Sequence, residues 1–193
     1  MTAPNQYQLD RRHCLAAAAA ALLLLGCGKQ PEAARPSEPV SVDTIASQAA
    51  GFQVGPLMTA RTAYVFFDAQ CPHCAALWEA AKPLKNQVRF VWIPVALLGE
   101  KSVGQGGAML EAADPAAAMD AHEASLRERK GGITAIGVSS EKKDLVRKNT
   151  ELFNRFGIAS VPTIIYQPKG ADLVIVEGAL PTPALAQRLG LPV

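Results

Sequence analysis

Cysteine is scarce in this chain: four residues in 193, at positions 14, 27, 71 and 74. A small exported domain braced by disulfides would scatter several along its length, so this set excludes a disulfide framework. Histidine is scarcer, with three residues, and His122 has no paired ligand near it in sequence, which argues against a closed four-ligand zinc centre. Charge is nearly balanced at a formal +2, which points to neither a nucleic-acid partner nor an electrostatic membrane contact. Long apolar runs are missing too. The longest, Leu15 to Leu25, has 11 residues, whereas roughly 20 are needed to cross a bilayer. There is no internal repeat, and the run Gly104 to Gly107 lacks the context of a phosphate-cradling loop.

What the N-terminus does contain is directional. Polar residues 1–10 and the pair Arg11-Arg12 precede the apolar block, the order of a secretion signal. The block ends in Leu24-Leu25-Gly26-Cys27, which resembles the bacterial lipobox. That resemblance implies cleavage before Cys27, a diacylglycerol on its sulfur and an acylated amine, and several acyl chains hold a protein stably where one does not. Gly28, in place of an aspartate, implies outer-membrane sorting. Asp10 to Leu15 partly resembles a twin-arginine signal, but lacks the serine or threonine before the pair and the phenylalanine after it, so the general secretory route is preferred. Either route ends outside the cytoplasm, where disulfides persist. The expected organisation is therefore a signal peptide over 1–26, a lipidated Cys27 with an extended tether to residue 40, and one domain over 41–193, large enough for its own core.

With Cys14 in the signal and Cys27 lipidated, Cys71 and Cys74 remain. They stand in Cys71-Pro72-His73-Cys74, directly after the apolar run Tyr64-Val65-Phe66-Phe67. A strand-to-helix turn is expected here, with Cys71 as N-cap and Pro72 at the first helical position, where its missing N–H costs nothing. The first sulfur then faces the positive end of a helix dipole, and unpaired N–H groups and a neighbouring His73 favour its thiolate. The spacing predicts Cys71 as nucleophile and Cys74 as resolving thiol. Such a pair closes too short a loop to brace the unfolded chain, so it reads as redox-active.

The surrounding pattern alternates strands and helices. Thr62 to Phe67 reads as a buried strand. A helix runs to Lys85 with Leu77, Trp78, Ala81 and Leu84 on one side, kinked at Pro83. Val88 to Leu98 is the next strand, its Pro94 marking an end or a bulge. Residues 101–132 hold at least two short helices, one opened by Asp114-Pro115. Ser139 or Ser140 caps a further helix with a core stripe of Leu145, Val146, Leu152, Phe153 and Phe156, stopped by Gly157. Val161–Gln167 and Leu173–Glu177 form a hairpin through Pro168-Lys169-Gly170, and Thr182-Pro183 opens a last helix closed at Gly190.

The order β-α-β, helical insert, α, β-β-α, with C-x-x-C opening the first helix and Val161-Pro162-Thr163 opening the next-to-last strand, resembles an α/β thioredoxin-like fold with a helical insertion at about 100–157. More narrowly, Val65 to Cys74, Trp92-Ile93-Pro94-Val95 and Phe156 to Thr163 are similar to the DsbC/DsbG branch of periplasmic thiol:disulfide interchange proteins. The resemblance implies that Pro162 is a cis-proline beside the active-site sulfurs and that the backbone of Val161 pairs with substrate peptide. Departures accompany it. Too few residues precede the first strand for the branch's dimerisation domain, so a monomer is expected. The Pro72-His73 dipeptide and Val161 are similar to the oxidising DsbA type. The buried carboxylate that the fold often carries six residues before the nucleophile is replaced by Val65. Asp68 is the nearest acid, readable as a proton relay or as a solvated or turn-stabilising residue, and His122 reads as a surface residue.

These features imply a lipid-anchored envelope thiol:disulfide oxidoreductase without cofactor or metal, acting on protein thiols and disulfides on the oxidising side. It would be recharged by a membrane redox partner. A disulfide reductant or isomerase, and a copper(I) carrier using the two thiolates, are the alternatives.

Overall fold

The structure, a computed structural model, describes residues 38–191. The expected signal peptide, Cys27 and most of the expected tether lie outside the described residues. The last tether residues already contact the domain: Glu38 accepts from Arg155 Nε at 3.0 Å, and Val40 packs against the core.

Two elements precede the first expected strand, helix α1 (Val42–Gln48) and the short strand β1 (Phe52–Val54). They are followed by β2 (Thr62–Asp68), α2 (Pro72–Ala81) and β3 (Arg89–Val95). The insert comprises α3 (Glu100–Glu111), α4 (Pro115–Arg127) and α5 (Ser140–Arg155), after which β4 (Thr163–Tyr166), β5 (Val174–Glu177) and α6 (Thr182–Arg188) complete the domain. The five strands form one sheet in the order β1-β3-β2-β4-β5. β2 and β3 are parallel; the other neighbours are antiparallel.

Side-chain alternation along the central strands divides the core between the two faces of this sheet. Val65, Phe67, Phe90, Trp92 and Ile164 face α2 and α6, while Phe66, Ile93, Val95 and Ile165 face α1 and α5. The expected stripe on α5 packs there through Leu152, Phe153 and Phe156, with the Phe66 and Phe153 rings edge to face at 5.6 Å.

Several local signals act as read. Asp114 Oδ1 accepts from the N–H of Ala117 at 3.0 Å, Ser139 Oγ from that of Lys142 at 3.4 Å, and Gly157 takes the positive φ of 67° that ends α5. Others differ. The helix after Cys71 stops at Ala81 and continues as a 3₁₀ turn over Lys82–Leu84, because Pro83 has no N–H for an α-helical bond. The strand expected to reach Leu98 stops at Val95, so Pro94, paired opposite Phe67, marks the strand's end and not a bulge. It is tolerated because β1 reaches only to Trp92, so no strand on that side needs its missing N–H.

The glycines of 104–107 lie within α3, where they permit close packing. A Cβ on Gly106 would come within 2.9 Å of Pro94 Cβ and 3.2 Å of Val146 Cγ2. The insert is thereby seated against the end of β3 that borders the site.

Candidate active site

β2 delivers the chain to the turn Ala69-Gln70 at the C-terminal edge of the sheet, and Cys71 caps α2 with extended φ and ψ of −90° and 117°. Pro72 occupies the first helical position and is exposed, as is His73; Cys71 is 7% accessible and Cys74 wholly buried. Both thiols are free. The Cys71 sulfur lies 3.6 Å from the carbonyl oxygen of Val161, and the Val161–Pro162 peptide is cis. The residues singled out as nucleophile, resolving thiol and substrate edge thus meet at one place. Val161 is half-buried and Pro162 buried.

The two sulfurs are electrostatically unlike. A hydrogen bond from the Cys74 thiol, opposed by burial and helped by the backbone N–H groups of Cys74 and His73 and by the charge of His73, brings the Cys71 thiol down to about 6. Burial, then the neighbouring Cys71, pushes the Cys74 thiol far up. The proton the pair holds most firmly is therefore that of Cys74, and Cys71 is the sulfur that ionises first. The N–H of Asp68 also points at Cys74 Sγ, 3.4 Å away.

Asp68 is 1% accessible and fills the turn-stabilising role. Its carboxylate accepts from the N–H groups of Gln70, Leu97 and Leu98 at 2.8, 2.8 and 2.9 Å and from Ser102 Oγ at 2.6 Å. It pins the cysteine turn to the loop after β3 and to α3, with its oxygens fully occupied.

His122 corrects the surface reading: it has no accessible area. The N–H of Ile133 donates to its Nδ1 at 3.2 Å, so the ring proton sits on Nε2 and is donated to the carbonyl of Ala69 at 2.6 Å. Burial holds its pKa below the ordinary value. Gly132 makes room for the ring, since a Cβ there would lie 2.5 Å from His122 Cε1.

Three residues escaped the sequence reading. Gln105 of α3 accepts from Gln70 Nε2 at 2.5 Å and donates to the carbonyls of Gly131 and Ile133, linking the cysteine turn to the insert. Asp120 accepts from Trp78 Nε1 at 2.7 Å. Glu123 is 2% accessible, beside His122 on α4. The spacing of Met119, His122 and Glu123 marks a buried helical face, but two of its three members are ionisable and conceal it.

A capping cysteine, a proline behind it, a buried second thiol and an X–Pro carbonyl facing the first sulfur define a thioredoxin-type dithiol site. The chain belongs to the thioredoxin-like domain family, whose model matches residues 58–191. It is 30% identical over 136 residues to the thiol:disulfide interchange protein DsbG of Pseudomonas aeruginosa, covering 67% of this chain and 51% of that protein. To DsbG of Escherichia coli it is 31% identical over 108 residues, covering 55% of this chain and 43% of that protein. The chain thus spans about half the length of the curated relatives it matches. Among solved structures, the catalytic domain of ScsC from Proteus mirabilis superposes with a TM-score of 0.58 at 20% identity, over 77% of this chain and 92% of that one.

Proposed function

We propose that this protein is a thiol:disulfide oxidoreductase of the cell envelope that exchanges disulfides with protein substrates through Cys71 and Cys74, on the oxidising side. The observation that carries it is the asymmetry of the pair: a Cys71 thiol at the helix cap, 7% accessible and lowered to about 6, beside a wholly buried Cys74 that keeps its proton. A stabilised Cys71 thiolate is a good leaving group, and stabilising the reduced form makes the oxidised form reactive toward substrate thiolates. A substrate thiolate attacks the Cys71–Cys74 disulfide at Cys71, and Cys74 departs and takes up a proton. The substrate's second thiolate then displaces Cys71 and leaves with a disulfide of its own. Val161 and Pro162, facing the Cys71 sulfur, form the edge against which substrate backbone is read.

The same proposal places the protein in the periplasm as a monomer. It is tethered through a lipidated Cys27 at the outer membrane, needs no cofactor or metal, and is recharged by a membrane redox partner. The N-terminal sequence and its likeness to the lipobox support the anchor.

The test is the equilibrium reduction potential of the purified protein in glutathione buffers. A value above ~−150 mV, toward the ~−120 mV of DsbA, supports a disulfide donor; one near the ~−270 mV of thioredoxin makes it a reductant and overturns the direction.

A further inference from the structure

Glu123 lies on α4 between two residues whose side chains tie that helix to α2. One turn before it, Asp120 takes Trp78 Nε1 at 2.7 Å and Lys82 Nζ at 2.6 Å; one turn after it, Arg127 Nη1 pairs with Glu79 at 3.2 Å. Beside it, His122 ties α4 to the carbonyl of Ala69, two residues before the nucleophile. Between these contacts the Glu123 side chain is 2% accessible, and among the described residues its Oε2 has no hydrogen-bond partner. A carboxyl buried with one oxygen unpartnered is costly to ionise, and no contact of this helix pair offsets that cost.

The two cations that reach toward it are engaged elsewhere, Arg127 with Glu79 and Lys82 with Glu79 and Asp120. The charges bearing on Glu123 are those of Arg127 on its own helix, Glu79 on α2, Cys71 at the cap of α2, and Lys82 in the 3₁₀ turn. Of these, only Cys71 changes its charge in the reaction. Asp68, the other buried acid beside the pair, has both oxygens filled by fixed donors.

We propose that Glu123 is a redox-linked proton site of the Cys71–Cys74 pair, holding its proton while Cys71 is a thiolate and releasing it to solvent once that sulfur is bound in a disulfide. The inference rests on the exchange reaction proposed above. When the reduced pair meets a substrate disulfide, the Cys71–Cys74 bond forms and the substrate's sulfur–sulfur bond breaks. The pair gives two electrons to the substrate. The negative charge of Cys71 and the proton of Cys74 leave on the substrate's two sulfurs, so atoms and charge balance. The helix interface has then lost a negative charge, and Glu123 ionises in compensation. Burial, with Glu79 and Cys71 acting against Arg127 and Lys82, sets the carboxyl at about 7 while the thiols are free, which places this exchange near neutrality. Glu123 is thereby a positioning residue for charge, acting on Cys71 through space.

The test is carboxyl-carbon NMR of glutamate-labelled protein, titrated in the fully reduced and fully oxidised states. The Glu123 resonance is assigned by its loss in Glu123→Gln or, should that variant not fold, in Glu123→Asp. The expected result is a midpoint lower by about one pH unit in the oxidised protein, as befits the loss of one nearby charge. Reciprocally, the thiolate titration of Cys71 should move to lower pH in Glu123→Gln and stay near the wild-type midpoint in Glu123→Asp, which keeps an ionisable carboxyl. Equal Glu123 midpoints in the two states overturn the inference and leave the exchange reading intact. A pair that no glutathione buffer oxidises overturns the exchange reading, and this inference with it.

Discussion

The Nε2–H of His122 is donated to the carbonyl oxygen of Ala69 across 2.6 Å, joining the helical insert to the turn that presents Cys71. With Gln105 on Gln70 and Ser102 on Asp68, it makes the insert a rigid backing for the cysteine turn. The insert is thus part of the site's geometry, whatever else it does.

Truncation of His122 to alanine removes two hydrogen-bond partners, for Ala69 and Ile133, and leaves a cavity. The expected cost is about 3 kcal/mol, read as a lower denaturant midpoint at pH 7. The folded-state pKa lies below the ordinary 6.5, so the unfolded chain binds a proton that the folded chain refuses. That share of stability is complete above pH 6.5 and is lost as the pH falls through it. The gap between wild type and His122→Ala should therefore narrow at pH 5; a gap independent of pH would remove burial of a neutral imidazole from the explanation.

Ionisation of Cys71 makes the reduced protein's stability depend on pH in a way the disulfide form cannot share. The folded thiol is depressed from 9.0 to about 6. The stabilisation is fully present above pH 9 and is lost as the pH falls through about 6. At pH 7.5 this amounts to about 2 kcal/mol in favour of the reduced state. Denaturation of both redox forms across this range should show the reduced protein's advantage shrinking toward pH 5, and a constant difference would contradict a thiolate in the folded state.

Replacing Asp68 tests the pin beneath the site. Asp68→Ala strips the partner from three backbone N–H groups and a buried serine hydroxyl, and should cost about 3–5 kcal/mol. Asp68→Asn keeps the shape but turns an amide NH₂ toward N–H donors, and should cost nearly as much. Recovery of wild-type stability in Asp68→Asn, measured by denaturation, would show that packing rather than charge holds the turn.

Much of this was legible because the signals are local. Cys71-Pro72 marks a helix start, Asp114 and Ser139 are caps, and Gly157 is a stop, each read from a few neighbouring residues. What escaped depends on distant partners. β1 is only Phe52–Val54, too short for a period, and exists because it pairs with β3. Pro94 is tolerated at the end of β3 only because β1 stops before reaching it. His122 and Glu123 look solvated in an alanine-rich helix but are buried; the Ala69 carbonyl, the Ile133 N–H and the α2 side chains that hold this helix lie elsewhere in the chain.

Two substitutions at Cys74 separate its chemical role from its electrostatic one. The hydrogen bond from the Cys74 thiol is the largest cause of the lowered Cys71 pKa. Serine retains a donor and cannot resolve a disulfide, so Cys74→Ser should keep a titration midpoint near about 6 and accumulate Cys71 in mixed disulfides with substrates. Alanine has neither property, and Cys74→Ala should trap the same adducts while its Cys71 titration moves up toward the ordinary 9.0. Thiolate absorbance against pH reads the first effect, and non-reducing electrophoresis with mass spectrometry the second. Equal midpoints in the two variants would assign the thiolate to the helix terminus and His73 instead, and an absence of adducts in both would deny Cys71 its role as nucleophile.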